Sequence, residues 1–306
     1  MTFVKSIALI GAVILGWAGL TRPVHAQNTA SADAPLEKTL LWKITGKGIK
    51  PSYLFGTIHI IGAKDYVWTP TMNKALKKTD KLVTEIDMSK QLAMALEMMK
   101  LAPMKDGQTL VDVLSQEDYA LVKQYFTEEA KSAEAKMTFS MAQNWQPMLL
   151  LSALYPEMID GPVKMYEMEL VKLAKEEEME FGGLETVEDQ MEVFHGIPYE
   201  EQAETLVETI QQLKENDGAT SELQTMIEGY KTLVVDGMLE AMGEELEEMC
   251  NQEALINDRN KDWIPKIITM SREKRTFYAV GAGHLGGENG VIRLLRKQGY
   301  KVTPVM

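Results

Sequence analysis

The chain holds a single cysteine in 306 residues, so it has no internal disulfide. Histidine is nearly as scarce, at positions 25, 59, 195 and 284 only. No His-Glu-x-x-His segment occurs, which excludes the ordinary zincin helix. Beyond the first residues no apolar run reaches the roughly 20 residues that a bilayer span requires. Positive charge is in deficit: 32 Lys and Arg face 45 Asp and Glu, a net charge of −13. Such a surface repels nucleic acid and anionic membranes, and it favours solubility. The lone thiol, Cys250, lies in a Glu- and Met-rich helical stretch with no histidine nearby, a poor setting for a nucleophile.

What the chain does contain begins with a leader. Lys5 precedes the apolar, uncharged run Ser6–Leu20, and Val24-His25-Ala26 supplies small residues at a cleavage site. This layout predicts a signal peptide over residues 1–26 and an exported protein, periplasmic or extracellular. Its removal takes away Lys5 and Arg22 and no acid, so −13 becomes −15. Residues 27–35 are small and polar and read as a flexible leader. Residues 36–306 have the length of one large α/β domain or two small ones and are read as one, and the 45% apolar content is ample for a core.

The two ends of that domain read as β-rich. Leu40–Thr45 and Tyr53–Phe55 flank a Gly/Pro break and predict a hairpin. A helix over Thr71–Lys78 and a strand over Lys81–Ile86 make Tyr53–Ile86 a β-α-β unit. At the far end Arg275–Val280, Gly287–Gln298 and Lys301–Val305 read as strand, helix and strand. Between them, about 89–270, lies a large helical insertion containing one strand at about 179–184. Its helices are expected over Ser89–Lys100, Thr109–Phe126, Ser140–Leu154, Lys164–Glu178, Tyr199–Asn216, Ser221–Glu248 and Gln252–Met270. Ser115, with Asp118 three residues on, is close to a capping box. Most of the 21 methionines fall in this region at helical spacing, as with Met94, Met98 and Leu101, which predicts core packing.

Four strands end on residues suited to chemistry. They lead to His59, to Glu85 and then Asp87, to Glu185, and to His284. In open α/β sheets ligands bind beyond the carboxyl ends of parallel strands, so these residues converge if the strands are parallel neighbours. Both histidines stand in a Gly-x-x-His turn, Gly56–His59 and Gly281–His284. The glycines are expected to take positive φ and aim each imidazole into the crevice.

Two imidazoles with one or two carboxylates suit a divalent metal such as zinc, manganese or cobalt. His59 and His284 with Glu85 or Glu185 would form such a set, and the other carboxylate is left to act as general base. The opposing reading is a pair of hydrogen-bonded loop histidines, and spacing alone does not separate the two. Gly281-Ala-Gly-His-Leu-Gly286 also matches the dinucleotide pattern, but the acid about 20 residues on is missing because Met306 intervenes. Arg259, one turn before Trp263, is a candidate oxyanion or carboxylate partner, or else a surface arginine. His195 follows no strand and reads as a helix-end histidine.

At these residues the chain resembles the TraB/PrgY/GumN family, related to the Tiki metalloproteases. The resemblance rests on Leu54-Phe-Gly-Thr-Ile-His59, Glu85, Gly183-Leu-Glu-Thr-Val-Glu-Asp-Gln190, Asp258-Arg-Asn-Lys-Asp-Trp263, Ala279-Val-Gly-Ala-Gly-His-Leu285 and Gly299-Tyr-Lys-Val-Thr-Pro304. It implies a mixed sheet flanked by helices, similar to erythromycin esterase and haem-binding ChaN proteins. It also implies an active centre of His59, His284 and Glu85, with Arg259 nearby and Glu185 in a less settled role. Three readings follow: a metal-dependent hydrolase acting on peptides or small molecules, a non-catalytic binder of peptide or haem, and a hydrolase using bare imidazole as base.

Overall fold

The computed structural model describes residues 35–215, 221–236 and 253–306. The signal peptide, nearly all of the leader, Cys250 and the latter part of Ser221–Glu248 lie outside them.

Six strands form one mixed sheet: β1 Leu41–Thr45, β2 Ser52–Thr57, β4 Lys81–Thr84, β6 Glu180–Gly183, β7 Thr276–Gly281 and β8 Lys301–Pro304. Their spatial order is β6-β4-β7-β2-β1-β8. β6, β4, β7 and β2 run parallel, while β1 is antiparallel to both β2 and β8. The expected α/β class and the β1–β2 hairpin are therefore present. The central strands β2 and β7 are buried along nearly their whole length, as strands covered on both faces must be. β2 and β4 are not neighbours, however. β7, from the far end of the chain, lies between them, so the expected β-α-β unit is split by a third strand.

Two strands had no signal in the sequence. β3 Ile60–Gly62 and β5 Val163–Met165 pair in a separate two-stranded sheet. Each is three residues long, too short for a period-2 pattern.

The helices are α1 Pro70–Leu76, α2 Gln91–Leu101, α3 Leu110–Val113, α4 Gln116–Gln124, α5 Ala133–Met141, α6 Pro147–Leu154, α7 Tyr166–Glu176, α8 Val187–His195, α9 Tyr199–Glu215, α10 Ser221–Lys231, α11 Arg259–Glu273 and α12 Val291–Lys297. Ser115 caps α4 as expected, accepting from the Asp118 amide at 3.1 Å. Ser140–Leu154 is two helices rather than one. Gln143 and Asn144 instead accept backbone bonds from Leu110 and Met104, and Pro147 opens α6 with its preset φ. Lys164–Glu178 begins as β5 before α7. Met94 and Met98 are buried in the core, as their spacing predicted. No helix among the described residues is long and apolar enough to cross a membrane.

Candidate functional site

The parallel strands deliver their ends to one place. β2 ends two residues before His59, β4 one residue before Glu85, β6 two before Glu185 and β7 three before His284. Thr57 pairs with Gly281, so the two Gly-x-x-His turns lie side by side, offset by one residue.

The glycines of those turns serve close approach rather than unusual φ. Neither Gly56 nor Gly281 has positive φ, and Gly281 sits at φ −51 and ψ 135. A Cβ on Gly56 would stand 2.8 Å from Leu285 Cδ1 and 3.1 Å from Ala282 Cβ. Bare Gly56 therefore lets the turn carrying His284 pack against β2. A Cβ on Gly281 would stand 3.4 Å from both Glu85 Oε1 and His59 Nε2, and 3.6 Å from His284 Cδ2. Gly281 thus keeps open the space among the three expected metal donors.

Both imidazoles present Nε2 to the same carboxylate oxygen. Glu85 Oε1 is 4.0 Å from His59 Nε2 and 3.8 Å from His284 Nε2, and it accepts from the Gly281 amide at 2.8 Å. The opposite ring nitrogens are anchored. His59 Nδ1 lies 2.9 Å from Glu167 Oε1, which also accepts the Thr57 hydroxyl at 2.6 Å. His284 Nδ1 lies 2.7 Å from Asn260 Oδ1. Asn260 Nδ2 donates to the carbonyls of His284 and Asn289, which fixes the amide orientation. Nδ1 of His284 therefore carries the proton, and Nε2 carries the lone pair.

Arg259 and Glu185 form the floor. Arg259 Nη2 donates to Glu85 Oε2 at 2.7 Å and to Glu185 Oε1 at 2.6 Å, and Nε donates to Glu185 Oε2 at 3.1 Å. Nη1 lies 3.3 Å from His284 Nε2 and 2.9 Å from the Leu255 carbonyl. Glu185 also accepts from Gln190 Nε2 at 2.5 Å and Trp263 Nε1 at 3.0 Å. The local sequence sets this up. Thr186 and Asp189 form a capping box that starts α8 directly after Glu185 and brings Gln190 back over it. Arg259, Asn260 and Trp263 project from the first turns of α11.

The charges follow from these contacts. Burial pushes the Glu85 carboxyl up, but Arg259, both histidines and the Gly281 amide outweigh it and hold the group well below the usual range. Burial, with Arg259 and His59, pulls His284 down to about 3 against the opposing pull of Glu85, so the ring is neutral. Burial also lowers His59, yet Glu167 and Glu85 outweigh it and the net shift is upward. His59 is the more open of the two rings, at 15% exposure against 6% for His284.

The donor set fits a divalent cation in chemistry. It comprises two anchored imidazoles, one neutral by its contacts, an ionised carboxylate and a cradle kept clear by Gly281. It is not drawn into a compact cluster. Among the described residues no three His, Cys, Asp or Glu side chains stand close enough to hold a metal ion.

All five residues expected from the sequence meet here. Glu167, Gln190 and Asn260 had not been singled out. Glu167 had a usable signal: it lies on the buried stripe of α7 with Leu170, Val171 and Ala174, where an acid is out of place unless paired. His195 ends α8 as expected. Its Nδ1 meets the Tyr199 hydroxyl at 2.6 Å, outside the His59–His284 site.

Comparison with known proteins gives a family. The model of the TraB/PrgY/gumN family matches residues 40–304. Metalloprotease TIKI1 of Homo sapiens is 23% identical over 86% of this chain and 61% of that protein. Metalloprotease TIKI1 of Danio rerio is 25% identical, over 90% and 64%. Metalloprotease TIKI2 of Danio rerio is 21% identical, over 93% and 65%. The chain thus spans under two thirds of the length of these relatives. No solved structure matches.

Proposed function

This chain belongs to the TraB/PrgY/gumN family, and from that premise we propose that it is a metal-dependent hydrolase of the peptidase class. The observation that carries the proposal is the facing of His59 Nε2 and His284 Nε2 onto Glu85 Oε1, with both Nδ1 atoms anchored behind them. His59, His284 and Glu85 would hold the cation; zinc, manganese and cobalt all suit these donors. Such a cation supplies Lewis acidity, acidifying a water and polarising a carbonyl.

The other residues have defined tasks. Glu167 and Asn260 keep the protons of His59 and His284 on Nδ1, so that Nε2 faces the site. Arg259, 15% exposed, brings fixed positive charge to the oxygen that becomes negative as a carbonyl is attacked. Glu185 was expected to assist proton transfer. Its two oxygens already accept from four donors, so we assign it to positioning Arg259. Substrates are peptides or small molecules rather than nucleic acid. Export belongs to the same proposal and rests on the leader pattern of residues 1–26.

The test is hydrolysis of a quenched-fluorescent peptide library by the mature chain. Activity is expected to vanish in chelator and to return with added zinc, manganese or cobalt. Full activity in chelator would contradict the proposal. It would favour a second reading, supported by the His59–Glu167 bond, in which His59 is a general base oriented by Glu167.

A further inference from the structure

Arg259 engages the same electron pair that a metal would use. The Asn260 contact leaves His284 one lone pair, on Nε2, and Arg259 Nη1 points at it from 3.3 Å. The neighbouring Nη2 holds Glu85 Oε2 at 2.7 Å. A fixed positive charge therefore bears on two of the three donors of the proposed set.

We propose that Arg259 is the resident counter-cation of this site and competes with the divalent metal for the Nε2 lone pair of His284. The inference rests on the metal reading above and adds an antagonism to it. One lone pair accepts one partner, so Nη1 must leave His284 Nε2 when a cation binds there. The surroundings keep the guanidinium in place through that exchange. One N–H of Nη1 donates to the Leu255 carbonyl at 2.9 Å, so Nη1 stays tethered when its other N–H gives up His284. Glu185 holds Nε and Nη2 at 3.1 and 2.6 Å and keeps the guanidinium at hand for return. Trp263 lies under the same group, its ring 5.0 Å from the guanidinium carbon and 4.4 Å from the His284 ring. With the metal gone, Arg259 sets its one positive charge between two buried carboxylates and donates to the bare imidazole nitrogen.

The sign of one measurement separates this from the ordinary alternative. A residue that only orients metal ligands weakens metal binding when removed, typically by about 10–100-fold. A competing cation does the reverse. Zinc affinities of the mature chain and of Arg259→Met are compared by competition with a fluorescent chelator, after circular dichroism has confirmed the fold. The variant is expected to bind zinc at least about tenfold more tightly, because a like charge has left the first contacts of the ion. Arg259→Ala adds a second arm: free guanidinium at tens of millimolar is expected to weaken zinc binding, whereas matched sodium chloride leaves it unchanged. A third arm needs no substitution. In ¹⁵N spectra of the wild-type chain, zinc is expected to shift His284 Nε2 and Arg259 Nη1 together.

Equal or weaker zinc binding by Arg259→Met, or a zinc shift confined to His284, would overturn the inference and leave the metal reading standing. Absence of zinc binding in both wild type and variants would remove the two together. Binding by the variants alone would support the competition and remove the metal reading for the native chain.

Discussion

Replacement of Glu185 by glutamine keeps shape and volume, yet it is expected to be among the most damaging single changes at the site. Every partner of Glu185 is a donor. Oε1 accepts from Arg259 Nη2 and Gln190 Nε2, and Oε2 accepts from Arg259 Nε and Trp263 Nε1. A glutamine must turn its NH2 toward one of these pairs, which sets donor against donor and removes the charge that balances Arg259. The Glu185 side chain is 4% exposed, so water does little to relieve it. Breaking a buried ion pair from one side costs about 3–5 kcal/mol. For a domain of this size that is a fall of roughly 10 °C in melting temperature. The assay is reversible urea unfolding in chelator, so that metal binding does not contribute. Glu185→Gln within about 1 kcal/mol of wild type would refute the reasoning, because it would mean that the four bonds do not bear on Arg259 as the geometry requires.

Three further outcomes are expected. Gly56→Ala forces a methyl against Leu285 and Ala282 and should destabilise by about 1–3 kcal/mol in the same unfolding assay, whereas a neutral effect would refute the close-approach role. Gly281→Ala meets its neighbours only at ordinary contact distance, so it should melt near wild type but bind zinc at least about tenfold more weakly in chelator competition, because its methyl enters the space between the donors. Acid should weaken the fold: His284 is held down to about 3 from 6.5, so the unfolded chain takes up its proton first and stability falls as pH drops from 6.5 toward 3. Glu85, also depressed, adds a loss below 4.5. His59 is raised, so its stabilisation is present below 6.5 and fades as pH climbs through its folded value. His284→Asn should therefore flatten the acid limb by about 2–3 kcal/mol between pH 6.5 and 4.5 in urea titrations, and an unchanged slope would contradict the assignment.

The site was legible in the sequence because its parts stand where strands stop. Short β-prone runs ending in Gly-x-x-His, or in an acid, mark strand ends without a structure, and parallel pairing of β2, β7, β4 and β6 then brings them together. What the sequence could not carry was order in the sheet. Nothing local in Arg275–Val280 says that it lies between two strands from the other end of the chain. The glycine reading failed for a related reason. Gly56 needs to be bare because Leu285, more than 200 residues away, packs on it, and φ plays no part. The supporting residues lacked any strand or glycine signal. Asn260 stood beside a recognised arginine, but its amide matters only through the turn that brings His284 onto α11. Glu167 was visible as an acid on an apolar helical stripe, a pattern that requires a partner without naming it.

The most direct test of the site is the metal content of the mature chain. Protein purified without chelator and supplied with zinc, manganese or cobalt is analysed by mass spectrometry of its bound ions, beside His59→Ala and His284→Ala variants that remain folded. Near one metal per wild-type chain, with each variant depleted, is the result expected from two imidazoles converging on Glu85. A wild-type chain with no bound metal at millimolar supply, or variants that bind it undiminished, would contradict that claim.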